Sequence, residues 1–297
     1  MFILFKRVVN FFHGSGLGRL PGIKLIYNFL FSSLRPQGTQ IINTDVGKLM
    51  VDTSDTGEVP YLLMRGSYDK FESETIRKFL LSGMTAIDIG AHIGYFTILM
   101  AKIVGNTGKV YAFDPEPKNF KLLSENLNLN RVTNVKLVNA ALSDKEGRTD
   151  LFLDDKNLGN PSFAKENIPS GSLSAGIGVH TLTLDSYMDG RKADFIKIDV
   201  QGAEGLIFSG AKKLLSGNLR ILMEFWPYGL RNVGTDPLIM LEKLRSSGYN
   251  FYIIDSNAKI LKPKTPNLLM NVAGNRPEGR GWANVLCLKT NNAAGEF

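Results

Sequence analysis

Between Thr85 and Val138 the chain alternates short runs of β-branched and aromatic residues with longer stretches whose apolar positions recur every three to four residues. The runs Thr85–Ile89, Lys109–Phe113 and Asn134–Val138 predict strands. Between them, Phe96, Leu99, Met100 and Ile103 share one side of a helix over Tyr95–Val104, and Leu122, Leu123 and Leu127 do the same over Lys118–Leu129. Strand, helix, strand in this rhythm is the pattern of crossovers that build a parallel sheet covered on both faces. The rhythm lapses over Asp154–Gly178, a stretch rich in Asn, Ser, Gly and Pro, which predicts a long loop of the kind that is usually functional or mobile. It resumes with strand Phe195–Asp199, helix Glu204–Leu215, strand Leu219–Phe225, helix Pro237–Ser246, strand Phe251–Asp255 and a last strand Ala283–Leu288. The expected fold is α/β, a doubly wound, mostly parallel seven-stranded sheet.

Upstream, Ile76, Phe79 and Leu80 predict a helix over Glu72–Leu81, and Ile41–Asp52 reads as a hairpin around Asp45-Val46-Gly47-Lys48, expected to cap the main sheet. The opening residues Met1–Phe12 set a greasy face beside Lys6 and Arg7 on a helix. The chain therefore divides into a basic amphipathic arm (1–37), a hairpin extension (38–70), the main domain (71–290) and a tail (291–297). Two fates suit the arm. Phe11, Phe12, Leu25, Ile26, Phe29 and Leu30 dock on the main domain or on a second subunit, giving a homodimer, or residues 1–35 contact a membrane surface. No run reaches the roughly 18 apolar residues that spanning needs. Lys6 and Arg7 also interrupt any secretory signal, so the expected place is the cytoplasm, with the inner membrane surface as a second address.

Composition changes this picture little. A 297-residue chain with 43% apolar and 21% charged residues buries a core without cross-links, and one cysteine with three histidines leaves neither a disulfide nor a structural zinc site to expect. Charge is more informative. The net +7 includes five cations and no acid in residues 1–44, which leaves +2 for the remainder, with no cationic stripe interleaved with aromatics. The expected partner is a small-molecule or glycan acceptor and not a nucleic acid.

Ligands of doubly wound sheets bind beyond the carboxyl ends of the strands, where the strand order reverses. The first strand ends Asp88-Ile89-Gly90-Ala91-His92-Ile93-Gly94-Tyr95. Glycines four apart permit a tight turn and close approach of a ligand, and the helix start beyond them offers amide hydrogens to an anion. The second strand ends Phe113-Asp114-Pro115, with the carboxylate 24 residues past Gly90. An acid there accepts both hydroxyls of a ribose, although Asp114 also suits a helix N-cap ahead of Pro115 and Pro117. A nicotinamide dehydrogenase is weakened because no Tyr-x-x-x-Lys pair occurs, and a nucleoside triphosphate finds no G-x-x-x-x-G-K-[ST]. Asp199 closes the strand across the switch point and faces the space where a donor would meet an acceptor. It is the first candidate for a general base or acceptor orienter, followed by Glu204 and His92. Glu204 equally suits the first turn of a helix, and His92 a turn position. Asp199, Glu204 and Glu224 could surround a hard cation, but Lys197 would neutralise one of them, and no metal is expected. Phe225-Trp226-Pro227-Tyr228 either stacks on a sugar face or covers the sheet edge.

Asp88-x-Gly90-x-x-x-Gly94 with Asp114 resembles the cofactor loop and ribose acid of class I methyltransferases. More narrowly, Asp88-Ile-Gly-Ala-His-Ile-Gly-Tyr-Phe-Thr97, Ala112-Phe-Asp-Pro-Glu-Pro117, Asn139-Ala-Ala-Leu-Ser-Asp144, Thr183-Leu-Asp185 and Ile196-Lys-Ile-Asp-Val-Gln-Gly-Ala-Glu204 are similar, in order and spacing, to the FkbM family. That resemblance implies a Rossmann-like methyltransferase using S-adenosylmethionine, with oxygen of a sugar, glycolipid or secondary metabolite as acceptor. It implies that Gly90, Ala91, Gly94 and Tyr95 admit the methionyl part while Asp88 orients their loop. Asp114 with Pro115 would hold the ribose, Ala141 and Leu142 border the adenine, Tyr68 and Asp69 approach the methionyl side, and Asp199 face the reacting methyl. Three positions depart from the family pattern: Asp114 where Glu is commoner, Gln201 where Glu is usual, and His92 where Asn is frequent. The change at Gln201 also admits an accessory protein at the membrane that keeps the fold without methyl transfer.

Overall fold

The computed structural model describes residues 1–12, 22–256, 259–274 and 281–289; the expected tail lies outside them, as does His13. The arm comprises α1 (Phe2–Phe11) and α2 (Ile23–Leu34). The hairpin β1 (Thr39–Thr44) and β2 (Gly47–Asp52) follows, then α3 (Val59–Arg65) and α4 (Lys70–Phe79). The main domain continues with β3 (Thr85–Ile89), α5 (Tyr95–Val104), β4 (Lys109–Phe113), α6 (Pro117–Leu129) and β5 (Val135–Val138). Next come β6 (Ala141–Leu142), β7 (Gly147–Leu151), β8 (Ile177–Leu182) and α7 (Leu184–Met188). The last part holds β9 (Phe195–Ile198), α8 (Glu204–Ser209), α9 (Lys212–Ser216), β10 (Arg220–Phe225), α10 (Pro227–Asn232) and α11 (Pro237–Ser246). It ends with β11 (Tyr249–Asp255), β12 (Ile260–Lys264), α12 (Pro266–Gly274) and β13 (Ala283–Lys289).

The central sheet has the order β12-β11-β13-β10-β9-β3-β4-β5. β10, β9, β3, β4 and β5 pair in parallel, and β13 runs antiparallel between β10 and β11. The order reverses between β3 and β9, which sets the ends of these two strands, Ile89-Gly90 and Ile198-Asp199, side by side: Asp199 N donates to Ile89 O at 3.0 Å. Strands β3, β4, β9 and β10 are buried almost throughout, as a sheet covered on both faces requires. Two core clusters, one on each face, are built around Ile98, Leu99 and Leu123 and around Ile207, Leu241 and Tyr249.

Three expectations need correction. The sheet has eight strands, because β12 adds an antiparallel edge to β11; Pro263 within it is tolerated there because an outer strand needs no donor on its open side. The hairpin does not cap the sheet but lies on α6, where the Asn126 side chain bonds both Met50 N and Met50 O at 2.6 and 3.0 Å, and Asn130 bonds Lys48 N at 3.1 Å. The helix expected over Glu204–Leu215 divides at Gly210, a residue that presses on Ser143 so closely that a Cβ would lie 2.2 Å from the Ser143 carbonyl oxygen. Strand β8 with β6 and β7 makes a small separate sheet, which holds the long 154–176 loop over the strand ends.

Candidate active site

The β3–α5 turn is fixed by backbone geometry. Gly90 has φ +77°, and a Cβ there would lie 1.9 Å from Asp199 O, so only glycine lets the two strand ends touch. Gly90 N and Ala91 N both donate to Phe113 O at 3.0 Å, which ties the turn to the end of β4. Gly94, φ +92°, packs against Leu123 and not into the site.

Asp114 is 2% exposed. Its Oδ2 accepts from His92 N at 2.7 Å and its Oδ1 from Glu116 N at 3.0 Å. The carboxylate thus anchors the turn and retains lone pairs for two further donors. Helix α6 is capped by Glu116 instead, whose side chain accepts from Asn119 N, so Asp114 is not the N-cap. Beside it lies a crevice. Gly90, His92, Asp114 and Pro115 form one wall; Ala141, Leu142, Leu151 and Phe163 form the apolar end, and Asp199 and Gln201 the polar end. An adjoining small space is bordered by Glu58, Asp88, Ala91, Tyr95, Lys197 and Asp199. A wider groove between α8, α9 and α11 touches none of these strand ends.

The second space concentrates charge. Lys197 is 3% exposed, its Nζ lies 3.5 Å from Asp199 Oδ2 and 4.5 Å from the centre of the Phe96 ring. Burial would lower its pKa, but the carboxylates of Asp199, Glu72, Asp88 and Glu58 more than reverse this and raise it. Asp88 Oδ2 accepts from Thr97 Oγ1 at 2.5 Å. Asp88 Oδ1 is buried and has no hydrogen-bond partner among the described residues, an acceptor awaiting a donor. His92 Nδ1 lies 3.3 Å from Glu58 Oε2; burial pushes the imidazole down, and Glu58 with Asp55 and Asp114 lifts it to about 9. Burial also pushes Asp114 up to about 7, Glu72 to about 8 and Glu204 to about 7.

At the polar end, Gln201 Nε2 donates to Asp199 Oδ1 at 2.8 Å and to Glu224 Oε2 at 3.0 Å. Gln201 itself takes φ +54° and is held there because its carbonyl accepts from Ser162 Oγ at 2.8 Å and Asn167 Nδ2 at 2.9 Å. An amide donor therefore sits between two carboxylates where a cation would otherwise sit, and no group of three or more ligating side chains suited to a metal occurs among the described residues. Burial, then the Asp199 carboxylate, raise Glu224 well above the ordinary range.

The structure gathers Asp88, Gly90, Ala91, His92, Tyr95, Asp114, Pro115, Ala141, Leu142 and Asp199 along these two spaces. It does not bring four others there. Glu204 is fully buried beneath the Val200–Gly202 turn, where its Oε1 accepts from Gly202 N at 3.4 Å; the first-turn carboxylate points inward and borders neither space. Asp69 is the N-cap of α4, accepting from Glu72 N at 3.0 Å. Tyr68 packs on Tyr95 and Phe96 and borders neither space, although its hydroxyl lies within electrostatic range of Glu58 and Asp199. Gly94 serves the helix packing described above. Conversely, Glu58 and Asn119 were not expected. Asn119 borders the crevice with a buried, unpartnered Oδ1, and no local pattern announces either residue.

Four of these groups bind protons more tightly folded than unfolded, which has a measurable sign. Asp114, Glu72, Glu204 and His92 all have raised folded pKa values, so their contribution is complete below their ordinary values and is lost as pH rises through the folded ones. The melting temperature of the protein without ligand is expected to fall by several degrees between about pH 5 and about pH 8.5. Calorimetry across that range checks this; a rising melting temperature contradicts it.

The residues present fit a nucleoside-bearing, ammonium-bearing cofactor. Asp114 supplies acceptors for hydroxyls, Asp88 Oδ1 an acceptor for a cation, and Gly90 a backbone that no Cβ obstructs. Among known proteins, the chain is 26% identical over 176 residues to a methyltransferase of Sordaria araneosa, covering 49% of this chain and 68% of that one. It is 28% identical over 121 residues to a tRNA(Phe) (4-demethylwyosine(37)-C(7)) aminocarboxypropyltransferase of Methanocaldococcus jannaschii, covering 41% and 43%. The expectation that nucleic acid is not a partner draws no support from a relative that modifies tRNA. Among solved structures, a SAM-dependent O-methyltransferase of Thermotoga maritima aligns with 16% identity and a TM-score of 0.43, over 89% of this chain and 81% of that one. The Methyltransferase FkbM domain matches residues 88–251, from the Asp88 turn through Asp114 and Asp199 to β11, and the chain belongs to this family of S-adenosylmethionine-dependent methyltransferases.

Proposed function

We propose that the chain transfers a methyl group from S-adenosylmethionine to an oxygen of a sugar, glycolipid or secondary metabolite. The observation that carries this reading is the continuity of the two spaces, which lead from the apolar Ala141–Leu142 end past Asp114 and Gly90 to Asp199. When bound, the cofactor supplies a methyl group activated by its sulfonium. Leu142 and Phe163 would cover its adenine, Asp114 would accept from its ribose, and Asp88 Oδ1 would accept from its ammonium. Asn119 Oδ1 offers one more acceptor near the nucleoside.

Asp199 is the group that handles the acceptor. A hydroxyl is a poor nucleophile until its proton is taken, and the Asp199 carboxylate is over a third exposed, bordering both spaces. Gln201 donates to one of its oxygens and Lys197 lies beside the other, which orients the carboxylate. Position and electrostatics supply the rest of the barrier reduction.

The test is to incubate the protein with methyl-labelled cofactor and an extract of its host, then identify what gains label. A labelled oxygen compound supports the proposal. Cofactor binding with no label in any acceptor pool supports the accessory alternative, and a labelled tRNA overturns the acceptor class. Asp199→Asn is expected to lower kcat on the order of 100-fold or more while changing cofactor Kd less than about threefold; retained kcat would remove Asp199 from proton transfer.

A further inference from the structure

The helices of the arm divide their side chains between two faces. On the inner one, Phe2 meets Phe31 with ring centres 6.1 Å apart and both pack on the main core. Phe5 meets Tyr27 at 5.8 Å, and Asn10 Nδ2 donates to Met64 O at 3.3 Å, tying α1 to the end of α3. This face meets the expectation of docking on the main domain, but with different residues. Phe11 and Phe29 are 82% and 70% exposed, and Ile3, Leu4, Leu25 and Ile26 are each more than half exposed.

Six large apolar side chains in water on two short helices form a surface that wants a partner. Its charge identifies the partner. Lys6, Arg7 and Lys24 belong to the same helices, and residues 1–44 contain no acid. A second copy of this surface would bring like charges together. An anionic bilayer supplies both missing complements, acyl chains for the apolar residues and headgroup charge for the cations. No described helix is long and apolar enough to cross a membrane, so the helices would lie in the interface plane.

We propose that the outward faces of α1 and α2 are a docking surface for an anionic lipid bilayer. The proposal goes beyond methyl transfer and does not depend on it. The connection to the site is short. α3 carries Met64, bonded to α1, at one end, and Glu58, which borders the second space, immediately precedes the other. Seven helical residues span only about 10 Å. α3 therefore links the arm to the rim of the second space.

The test co-sediments the full chain with vesicles of phosphatidylcholine alone and with vesicles containing a third of phosphatidylglycerol. Binding to the anionic vesicles is expected to be at least about tenfold stronger and to weaken as salt is raised. The pair Leu25→Ser and Phe29→Ser, both exposed, should abolish sedimentation with unchanged circular dichroism. Lys6→Glu, Arg7→Glu and Lys24→Glu together should lower it by about tenfold or more. Absence of binding to either vesicle, or binding that survives the serine pair, would overturn the proposal. So would a dimer in light scattering that the same pair dissolves, because the face would then belong to a second copy.

Discussion

Replacing Gly90 by alanine is expected to weaken S-adenosylhomocysteine binding on the order of 100-fold or more while leaving most helical content intact. Two costs coincide at this position. The residue holds φ +77°, a conformation an L side chain rarely adopts, and the added Cβ would lie 1.9 Å from Asp199 O. That atom is backbone at the end of β9, so it can yield only if the two strand ends separate. Separation would strain the bonds from Gly90 N and Ala91 N to Phe113 O and move Asp114, whose Oδ2 accepts from His92 N. The parts of the crevice that the proposed function gives to the methionyl group and the ribose would shift together. Calorimetric titration beside circular dichroism reads the result; alanine binding as tightly as glycine would show that the turn has no role in holding the cofactor.

Lys197→Met should produce the largest loss of stability, about 3–5 kcal/mol, because removing one member of a buried charge cluster strands the others. Methionine matches the stem of lysine, so the loss reports on the ammonium, its ion pairs and its position over the Phe96 ring. The ammonium of Lys197, a residue 3% exposed, faces Asp199, Glu72, Asp88 and Glu58, and burial already raises the pKa values of Asp88 and Glu72. Without Lys197 these carboxyls would hold protons still more tightly in the folded state than in the unfolded one. The deficit should therefore be largest near pH 8 and shrink as pH falls toward 5. Melting temperatures of both proteins at the two pH values check this, and an unchanged melting temperature at pH 8 would contradict the role given to Lys197.

Much of the fold was legible because parallel strands buried on both faces leave continuous apolar runs, and Thr85–Ile89 and Lys109–Phe113 are of this kind. β12 was not, since its residues are half-exposed and interrupted by Pro263. Nor was the break at Gly210, where Ser143, 67 positions earlier, comes to lie against the chain. The candidate site divides in the same way. Gly90 and Asp199 follow the two strands at the topological switch point and Asp114 follows the neighbouring β4, and their chemistry is tied to that edge of the sheet. Glu58 and Asn119 act through partners far away in sequence, as when Glu58 meets His92, so no local spacing marks them. Glu204 shows the reverse failure. A carboxylate in a first helical turn suits solvent, site or core equally, and here the Val200–Gly202 turn closes over it. The arm's pattern foretold an amphipathic pair of helices but not which aromatic residues turn inward, because that depends on how α1 and α2 meet each other and the main core.

Titration of the unmodified chain with S-adenosylmethionine tests the central claim most directly. One molecule should bind per chain with a measurable heat, and Asp114→Asn, which turns an amide donor toward the backbone N–H of His92 or Glu116, should weaken it about tenfold or more. If saturating cofactor gives neither heat nor a shift in melting temperature, the crevice between Gly90, Asp114 and Ala141 is not a methyl-donor site, and the proposed reaction falls with it.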